Sequence, residues 1–385
     1  MGPHVFHLYA GIIALYVILR FVRPLPWGRT AKVLLSALIV VGAEHHVVTR
    51  NVFGSMASPE VPGWLLMGLG WATGTLVVFG LLLILSDLLG CLSRRVSPRA
   101  SRVLLAPSGW RCGLLVLAAC LGALGVREAV RVPPVKTVEV AIPGWPQALD
   151  GLRIVQLTDL HVSRLLDARW MEQVVARSNA LKADLIVITG DMVDGSPAAR
   201  VADVKPLQDL AAPLGVLAIP GNHEYYVDYL GWVDAFQKTG LRLLRNEHVT
   251  LTHAGQRFVV AGLTDRVAER IAETMPDLAG ALAGRDPADP VILLDHRPGN
   301  APQAAQAGVS LQLSGHTHGG QILGPDRLAK WMNGGFVSGL YDVGDLRLYV
   351  SNGAGLWPGF PVRLGRRNEI TELVLRAAPA RQAPR

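Results

Sequence analysis

The sequence predicts an α/β domain preceded by an all-α transmembrane region. Three observations predict it. Four apolar runs crowd the first 130 residues. Beyond Pro133-Pro134, short strand-like runs alternate with helix-like segments. Each cluster of Asp, Asn and His in that second part directly follows an apolar strand-like run. The division is a membrane region at 1–130, a linker and first strand at 131–150, the α/β domain at 151–378 and a tail at 379–385.

Composition agrees with this division. Of 385 residues, 50% are hydrophobic and 17% charged, which excludes a disordered or fibrous chain. Mean hydropathy is +0.32, too high for a wholly soluble protein of this length. The net charge of +7 is uneven: residues 1–136 hold 13 Lys/Arg against 4 Asp/Glu, the remainder 24 against 26. The second part lacks the basic excess a nucleic-acid partner requires, so none is expected. Three cysteines, Cys91, Cys112 and Cys120, form no CxxC and exclude a disulfide framework.

The apolar runs are His4–Val22, Ala31–Val48, Trp64–Leu89 and Cys112–Val126. A span takes about 20 residues. The fourth run reaches that length only with Trp110 and Ala129-Val130. Four runs do not fit a single cleaved signal peptide. The first loop carries Arg20, Arg23, Arg29 and Lys32, the third Arg94, Arg95, Arg99, Arg102 and Arg111, and the second only Arg50. By the positive-inside rule the first and third loops are cytoplasmic. The α/β domain then faces the periplasm or exterior from an inner (plasma) membrane, provided that the fourth run crosses. Glu44, His45 and His46 near the end of the second span, and His4 and His7, read as interfacial residues.

In the second part, strands are expected at Thr137–Ala141, Arg153–Thr158, Asp184–Thr189, Gly215–Ile219, Arg257–Gly262, Val291–Leu294, Val309–Leu313, Leu346–Ser351 and Glu369–Leu375. Helices are expected near Asp167–Leu181, Ala202–Ala211, Gly231–Thr239, Ala268–Leu282 and Ala301–Gly308. Such alternation implies βαβ units, whose ligand sites lie at the carboxyl ends of strands. The polar clusters stand there: Asp159-Leu-His161, Gly190-Asp191, Gly221-Asn222-His223-Glu224, His296 and Gly315-His316-Thr-His318-Gly-Gly. Asp159 and His161, and again His316 and His318, project to one side if the chain is extended. The set offers nitrogen and oxygen donors and no thiolate, which suits Mn, Fe or Zn. Five of the eleven histidines take part.

This ordered set closely resembles the calcineurin-like metallophosphoesterase superfamily, whose blocks are DxH, GD, GNH with a following acid, a separate His, and GHxH. All five are present, and the resemblance covers roughly residues 137–375. Gly-His-Thr-His-Gly-Gly-Gln, Ser351-Asn-Gly-Ala-Gly and Pro361-Val-Arg363 resemble the bacterial membrane-associated branch. The resemblance implies a four-layer α/β/β/α sandwich and two divalent metal ions. One would be held by Asp159, His161 and His318, the other by Asn222, His296 and His316, with Asp191 bridging. It also implies that His223 faces the substrate, as a phosphate contact or general acid. Glu224 is expected to orient His223, or else to cap the following helix.

The expected activity is metal-dependent hydrolysis of a phosphodiester or pyrophosphate by metal-activated hydroxide. A lipid or cell-envelope metabolite suits a membrane-anchored enzyme, and a nucleotide-linked lipid pyrophosphate would favour a cytosolic domain. A phosphomonoesterase or protein phosphatase stays open, as does a non-catalytic membrane sensor or scaffold. Arg164, Tyr225, Tyr226 and Arg297 are candidate phosphate contacts. Trp331, Phe336, Trp357 and Phe360 are candidates for an apolar rim. The oligomeric state is not legible in the sequence.

Overall fold

The computed structural model describes residues 3–53, 58–106 and 109–380, with side chains from His7 on. The side chain of His4 and the tail at 381–385 lie outside the described residues. The chain forms two compact units. One is Met1–Ala129 with Pro358–Leu364, the other Val130–Trp357 with Gly365 onward.

The first unit is helical: α1 (Pro3–Val17), continued by a π-helical turn at Ile18–Val22, α2 (Arg29–Ala43), α3 (His45–Phe53), α4 (Gly63–Leu92), α5 (Pro98–Leu105) and α6 (Gly109–Val130). α4 and α6 are each long and apolar enough to cross a membrane. α2 and α3 pass only as a pair bent by 55°. The first run, His7–Val22, is shorter. Where the sequence suggests four spans, length and composition carry two among the described residues, or three with the bent pair.

The bend falls on the ionisable triplet. Glu44 leaves the helical region at φ −107°, and its carboxylate pairs with His7 Nδ1 at 2.6 Å. α6 is longer than its apolar run, and Arg111 near its start is buried with partners. Arg111 donates to the carbonyls of Arg20 and Leu105, and lies 3.9 Å from Asp87. Asp87 on α4 also takes a forked pair from Arg20, at 2.6 and 2.5 Å, and the Tyr16 hydroxyl at 2.5 Å.

Pro358–Leu364 packs among these helices against glycines. A Cβ on Gly74 would lie 2.7 Å from Val362, one on Gly125 2.6 Å from the same residue, and one on Gly70 2.5 Å from Pro361. Arg363 N donates to Gly125 O at 3.0 Å, and His46 Nε2 lies 2.5 Å from Gly359 O. Small residues thus admit a strand of chain between apolar helices. Phe360, expected in an apolar rim, belongs to this segment.

The second unit runs β1 (Val135–Pro143), β2 (Arg153–Leu157), α7 (Ala168–Ala180), β3 (Leu185–Thr189), α8 (Pro197–Val204), β4 (Val216–Ile219), α9 (Tyr229–Lys238), β5 (Arg242–Leu243), β6 (Glu247–His253), β7 (Gln256–Gly262), α10 (Leu278–Leu282), β8 (Val291–Leu294), α11 (Ala301–Gln306), β9 (Leu311–Ser314), α12 (Asp326–Met332), β10 (Gly339–Val343), β11 (Leu346–Val350) and β12 (Ile370–Ala378). There are two six-stranded sheets, ordered β1-β12-β2-β3-β4-β5 and β10-β11-β9-β8-β7-β6. β2 to β5 run parallel, as do β7, β8, β9 and β11.

Period-2 alternation builds the layers. Ile154, Leu185, Val187 and Leu217 of the first sheet share a buried cluster with Phe258, Ile292, Leu294 and Leu313 of the second. Val155, Leu157, Ile186 and Ile188 face the other way, onto Trp170, Met171 and Val174 of α7 and Trp232 and Phe236 of α9. Leu293, Leu348 and Val350 pack with Ala281, Ala301 and Ala304 of α10 and α11. Three clusters between four layers give the α/β/β/α sandwich. Each large side chain buried contributes roughly 1.5–3 kcal/mol.

Some elements differ from expectation. The helix expected at 268–282 is a 3-10 turn at Arg266–Ile271 and the short α10, started separately by caps from Asp265 and Asp277. Ala272 at φ 55° ends the first, and Pro276 stands before the second. The helix expected at 202–211 starts earlier, at Pro197, and tightens to 3-10 at Lys205–Asp209, where Pro206 removes a donor. β5, β6, β10 and α12 were not expected from the sequence.

Candidate active site

Parallel strands aim their carboxyl ends at one place. β2 delivers Asp159 and His161, β3 Asp191 and Asp194, β4 Asn222 to Glu224, β8 Asp295 and His296, and β9 His316 and His318. The paired residues are not in extended chain, as the spacing suggested. Asp159 (φ 52°), His161 (47°), Asp191 (52°), His316 (69°) and His318 (50°) all adopt the left-handed region, which Asp and His tolerate better than most residues. The turns are held across loops: Asp159 N donates to Gly190 O (2.9 Å), His161 N to Asp191 O (3.1 Å) and Gly315 N to His296 O (3.0 Å). Glycines permit the approach. A Cβ on Gly190 would meet His296 Nδ1 at 2.8 Å, and one on Gly353 the Asp159 Cβ at the same distance.

Three donor groups result among the described residues, two built from expected ligands and a third from His161, Asp194 and His223. Asp159, His161 and His318 offer ligand atoms that all lie within 4.8 Å of one another, and so do Asp191, His296 and His316. In the first, His318 Nε2 is 3.5 Å from Asp159 Oδ1 and 3.3 Å from His161 Nε2. Asp191 Oδ2 stands between the sets, 3.8 Å from His161 Nε2 and 3.1 Å from His296 Nε2. His296 Nδ1 is committed to Thr189 O at 2.8 Å, which turns Nε2 toward the centre.

Asn222 joins through an arginine. Arg297 Nη2 donates to Asn222 Oδ1 at 3.0 Å and Nη1 to His316 Nε2 at 2.7 Å. The guanidinium is anchored by Asp265, at 2.6 and 3.2 Å. A positive charge therefore already rests on two lone pairs of the second set. This is a direct sign that the donors present suit a cation.

Protonation follows from these contacts. Burial opposes ionisation of the carboxylates, but neighbouring imidazoles win. His318 holds Asp159 low, His296 and His223 hold Asp191 well below the ordinary range, and His223 and His161 bring Asp194 to about 2. Burial likewise pulls the imidazoles down, yet Asp194 keeps His161 and His223 raised, and Asp191 lifts His296 to about 10. For His316, burial and Arg297 act together, and it is pushed well below 6.5 into the neutral form.

Asp194 is the residue sequence reasoning missed. Its two oxygens bridge His161 Nδ1, at 2.9 Å, and His223 Nδ1. The signal was its position three residues after Asp191, at the start of a turn. Glu224 does not orient the His223 ring. It is buried and accepts backbone N–H groups from Met192 (2.6 Å), Gly221 (2.7 Å), Asp191 (3.2 Å) and Val193 (3.2 Å), so it pins the β3 and β4 loops together. Burial, reinforced by Asp191, pushes it up to about 7.

Of the other candidates, Arg297 reaches the centre. Tyr226 accepts from Asn222 Nδ2 at 3.2 Å, with its ring 4.9 Å from His223. Tyr225 is buried and stacked on Tyr229, a core residue. Arg164 is exposed. Phe336 packs edge-on to Tyr341 instead of forming a rim, Trp357 is half-buried, and Trp331 is 77% exposed.

Comparison with known proteins gives the family. Residues 152–320 match the family model of the calcineurin-like phosphoesterases. A transmembrane protein with metallophosphoesterase domain from Bos taurus is 37% identical over 67% of this chain, and the match spans only 61% of its own length. The corresponding protein of Danio rerio is 33% identical over 78% of this chain and 72% of its own. A metallophosphoesterase of Campylobacter jejuni is 35% identical over 68% of each. With two helices able to cross a bilayer and relatives named as transmembrane proteins, the chain is a membrane protein. By its sequence, its sandwich and its relatives, the chain belongs to the calcineurin-like phosphoesterase family of metal-dependent phosphoester hydrolases.

Proposed function

We propose that the chain is a membrane-anchored phosphoesterase that cleaves a phosphodiester or pyrophosphate of a lipid or cell-envelope metabolite. Asp159, His161 and His318 would hold one divalent cation and Asn222, His296 and His316 the other, with Asp191 available to both. The observation that carries this reading is the position of Asp191 Oδ2 between two donor sets, 3.8 Å from His161 and 3.1 Å from His296. Bound there, Mn, Fe or Zn ions supply a water acidic enough to attack at neutral pH and charge to offset the phosphoryl oxygens.

The protein groups do the rest. Water oxygen, having lost one proton to solvent, forms a bond to phosphorus as the P–O bond to the leaving group breaks. His223, kept protonated by Asp194, donates its Nε2 proton to the departing oxygen. Such general acid catalysis is worth about 10²–10⁴-fold. Arg297, fixed by Asp265, keeps a positive charge beside the second donor set. The domain faces outward from the inner membrane: α6 begins after the arginine-rich segment of Arg94 to Arg102 and is long enough to cross.

The test is hydrolysis of an aryl phosphodiester by the full-length protein in detergent. Turnover is expected with Mn²⁺, lost with chelator and lost in Asp191→Asn. A folded, metal-loaded protein without turnover on aryl or lipid phosphoesters would sink the reading.

A further inference from the structure

An open groove of about 820 Å³ lies in the helical unit, between α2 and the π-helical turn that follows α1. Ile18, Val22, Val33, Val40 and Val41 make its apolar wall, and the small Ser36 and Ala37 leave it room. Its charges come from one end of the hairpin: Arg23, Arg29 and Lys32 line the groove together with Trp27, all from the α1–α2 connection and the first turn of α2. These cations are available. Arg20 is spent on Asp87, but Arg23, Arg29 and Lys32 have no acidic partner among the described residues. Lys32 Nζ donates to the carbonyl of Arg23 at 2.9 Å, which ties the two sides of the rim together. Trp27 is exposed at the same end, as aromatic residues are at a membrane–water interface. From Arg29 to Val41, α2 rises about 18 Å at about 1.5 Å per residue, close to one leaflet of a hydrocarbon core about 30 Å thick.

We propose that this groove binds one anionic phospholipid, with its phosphate at Arg23, Arg29 and Lys32 and an acyl chain along Val33 to Val41. Lipid tails of any kind solvate apolar helices, so the apolar wall alone selects nothing. The selection comes from unneutralised cations gathered at one end, since each basic group near an anionic membrane surface is worth about a factor of five. A zwitterionic headgroup brings its own ammonium to the same rim and forfeits that gain. A soluble phosphate ester would meet the cations but leave the apolar wall unused. The inference is independent of the phosphoesterase reading: it concerns the lipid that the helical unit selects, not the ester that the second unit cleaves.

The test uses full-length protein in detergent, with phosphatidylglycerol and phosphatidylcholine of identical acyl chains, and native mass spectrometry to count bound lipid. One phosphatidylglycerol per chain is expected, held at least about fivefold tighter than phosphatidylcholine. The preference should vanish in Arg23→Gln/Arg29→Gln/Lys32→Gln. It should persist in Arg94→Gln/Arg95→Gln/Arg99→Gln, which removes the same charge outside the groove. Ala37→Trp fills the groove from an exposed position and keeps every cation, so it should weaken phosphatidylglycerol binding by at least about fivefold as well. That variant carries the test if the triple variant of the rim fails to fold. Equal binding of the two lipids by the wild type overturns the proposal. An equal loss in both triple variants also overturns it, because the preference would then follow net charge. Unchanged binding in Ala37→Trp, or displacement of the lipid by excess glycerol 3-phosphate, overturns the acyl chain's place in the groove and the proposal with it.

Discussion

Arg297 donates to His316 Nε2 at 2.7 Å, so that this ring nitrogen presents a lone pair and no proton. The same guanidinium covers the carbonyl oxygen of Asn222. An arginine thus competes with any cation that would use those two donors. Arg297→Ala is expected to tighten binding of the second equivalent of Mn²⁺ to metal-free protein by about tenfold or more. Calorimetric titration reads it, and unchanged second-site affinity would show that the contact does not persist in solution.

Metal uptake should release protons. Without metal, His296 is lifted to about 10 by Asp191 against the pull of burial, and His161 is raised by Asp194. A raised pKa stabilises the fold fully below the unfolded value near 6.5, and that contribution fades as pH climbs through about 10. Metal ligation needs the neutral ring. Apparent affinity is therefore expected to rise with pH up to about 10, with about one or more protons released at pH 7. Titrations in buffers of different ionisation enthalpy count them, and a count of zero would refute the assignment.

His223→Ala should lower turnover by about 10²–10⁴-fold on alkyl esters and much less on nitrophenyl esters, whose leaving group needs no proton. Metal content should stay at the wild-type level. Asp194→Asn is expected to move the alkaline limb of the pH profile to lower pH, because Asp194 keeps the His223 proton on. If both variants treat the two leaving groups alike, His223 is not the acid.

Glu224→Ala leaves four backbone N–H groups without their acceptor. The expected cost is at least about 3 kcal/mol, since hydrogen bonds to charged groups are worth roughly 1.5–3 kcal/mol each and are not additive. Thermal melting measures it. A variant that melts normally but turns over poorly would return Glu224 to a catalytic role.

Gly353→Ala should disturb the centre itself. Gly353 has φ +82°, and a Cβ there would lie 2.8 Å from Asp159 Cβ. Gly144→Ala is the control: φ is +69°, with nothing within 4 Å. Backbone strain alone costs about 1–3 kcal/mol. Gly353→Ala should therefore cost more than Gly144→Ala and should also weaken metal binding. Equal melting shifts would show that the loop yields.

The strand-end polar clusters were legible because chemistry of this kind needs particular residue types directly after apolar strands. Leu185–Thr189, buried throughout, announces itself. β6 does not, because its residues alternate between exposed and half-buried around Val249 alone. Asp194 was hidden because its importance lies in two rings brought to it from other loops. Glu224 was misread for the opposite reason: its neighbour in sequence is His223, but its partners are backbone groups of the β3 and β4 turns. Arg297 was one of four equal guesses until Asp265 fixed its direction.

The segment Pro358–Leu364 has a practical meaning. A gene truncated to begin after α6 would still encode these seven residues, but not the glycines of α4 and α6 they lie against. Pro361 and Val362 are buried, and Phe360 and Leu364 half-buried, in the intact chain. Cut free, they become a greasy loop in water, prone to self-association. Purification of the hydrolase as a surfactant-free fragment is therefore the wrong starting point. The loop must be redesigned with polar residues, or the helices kept.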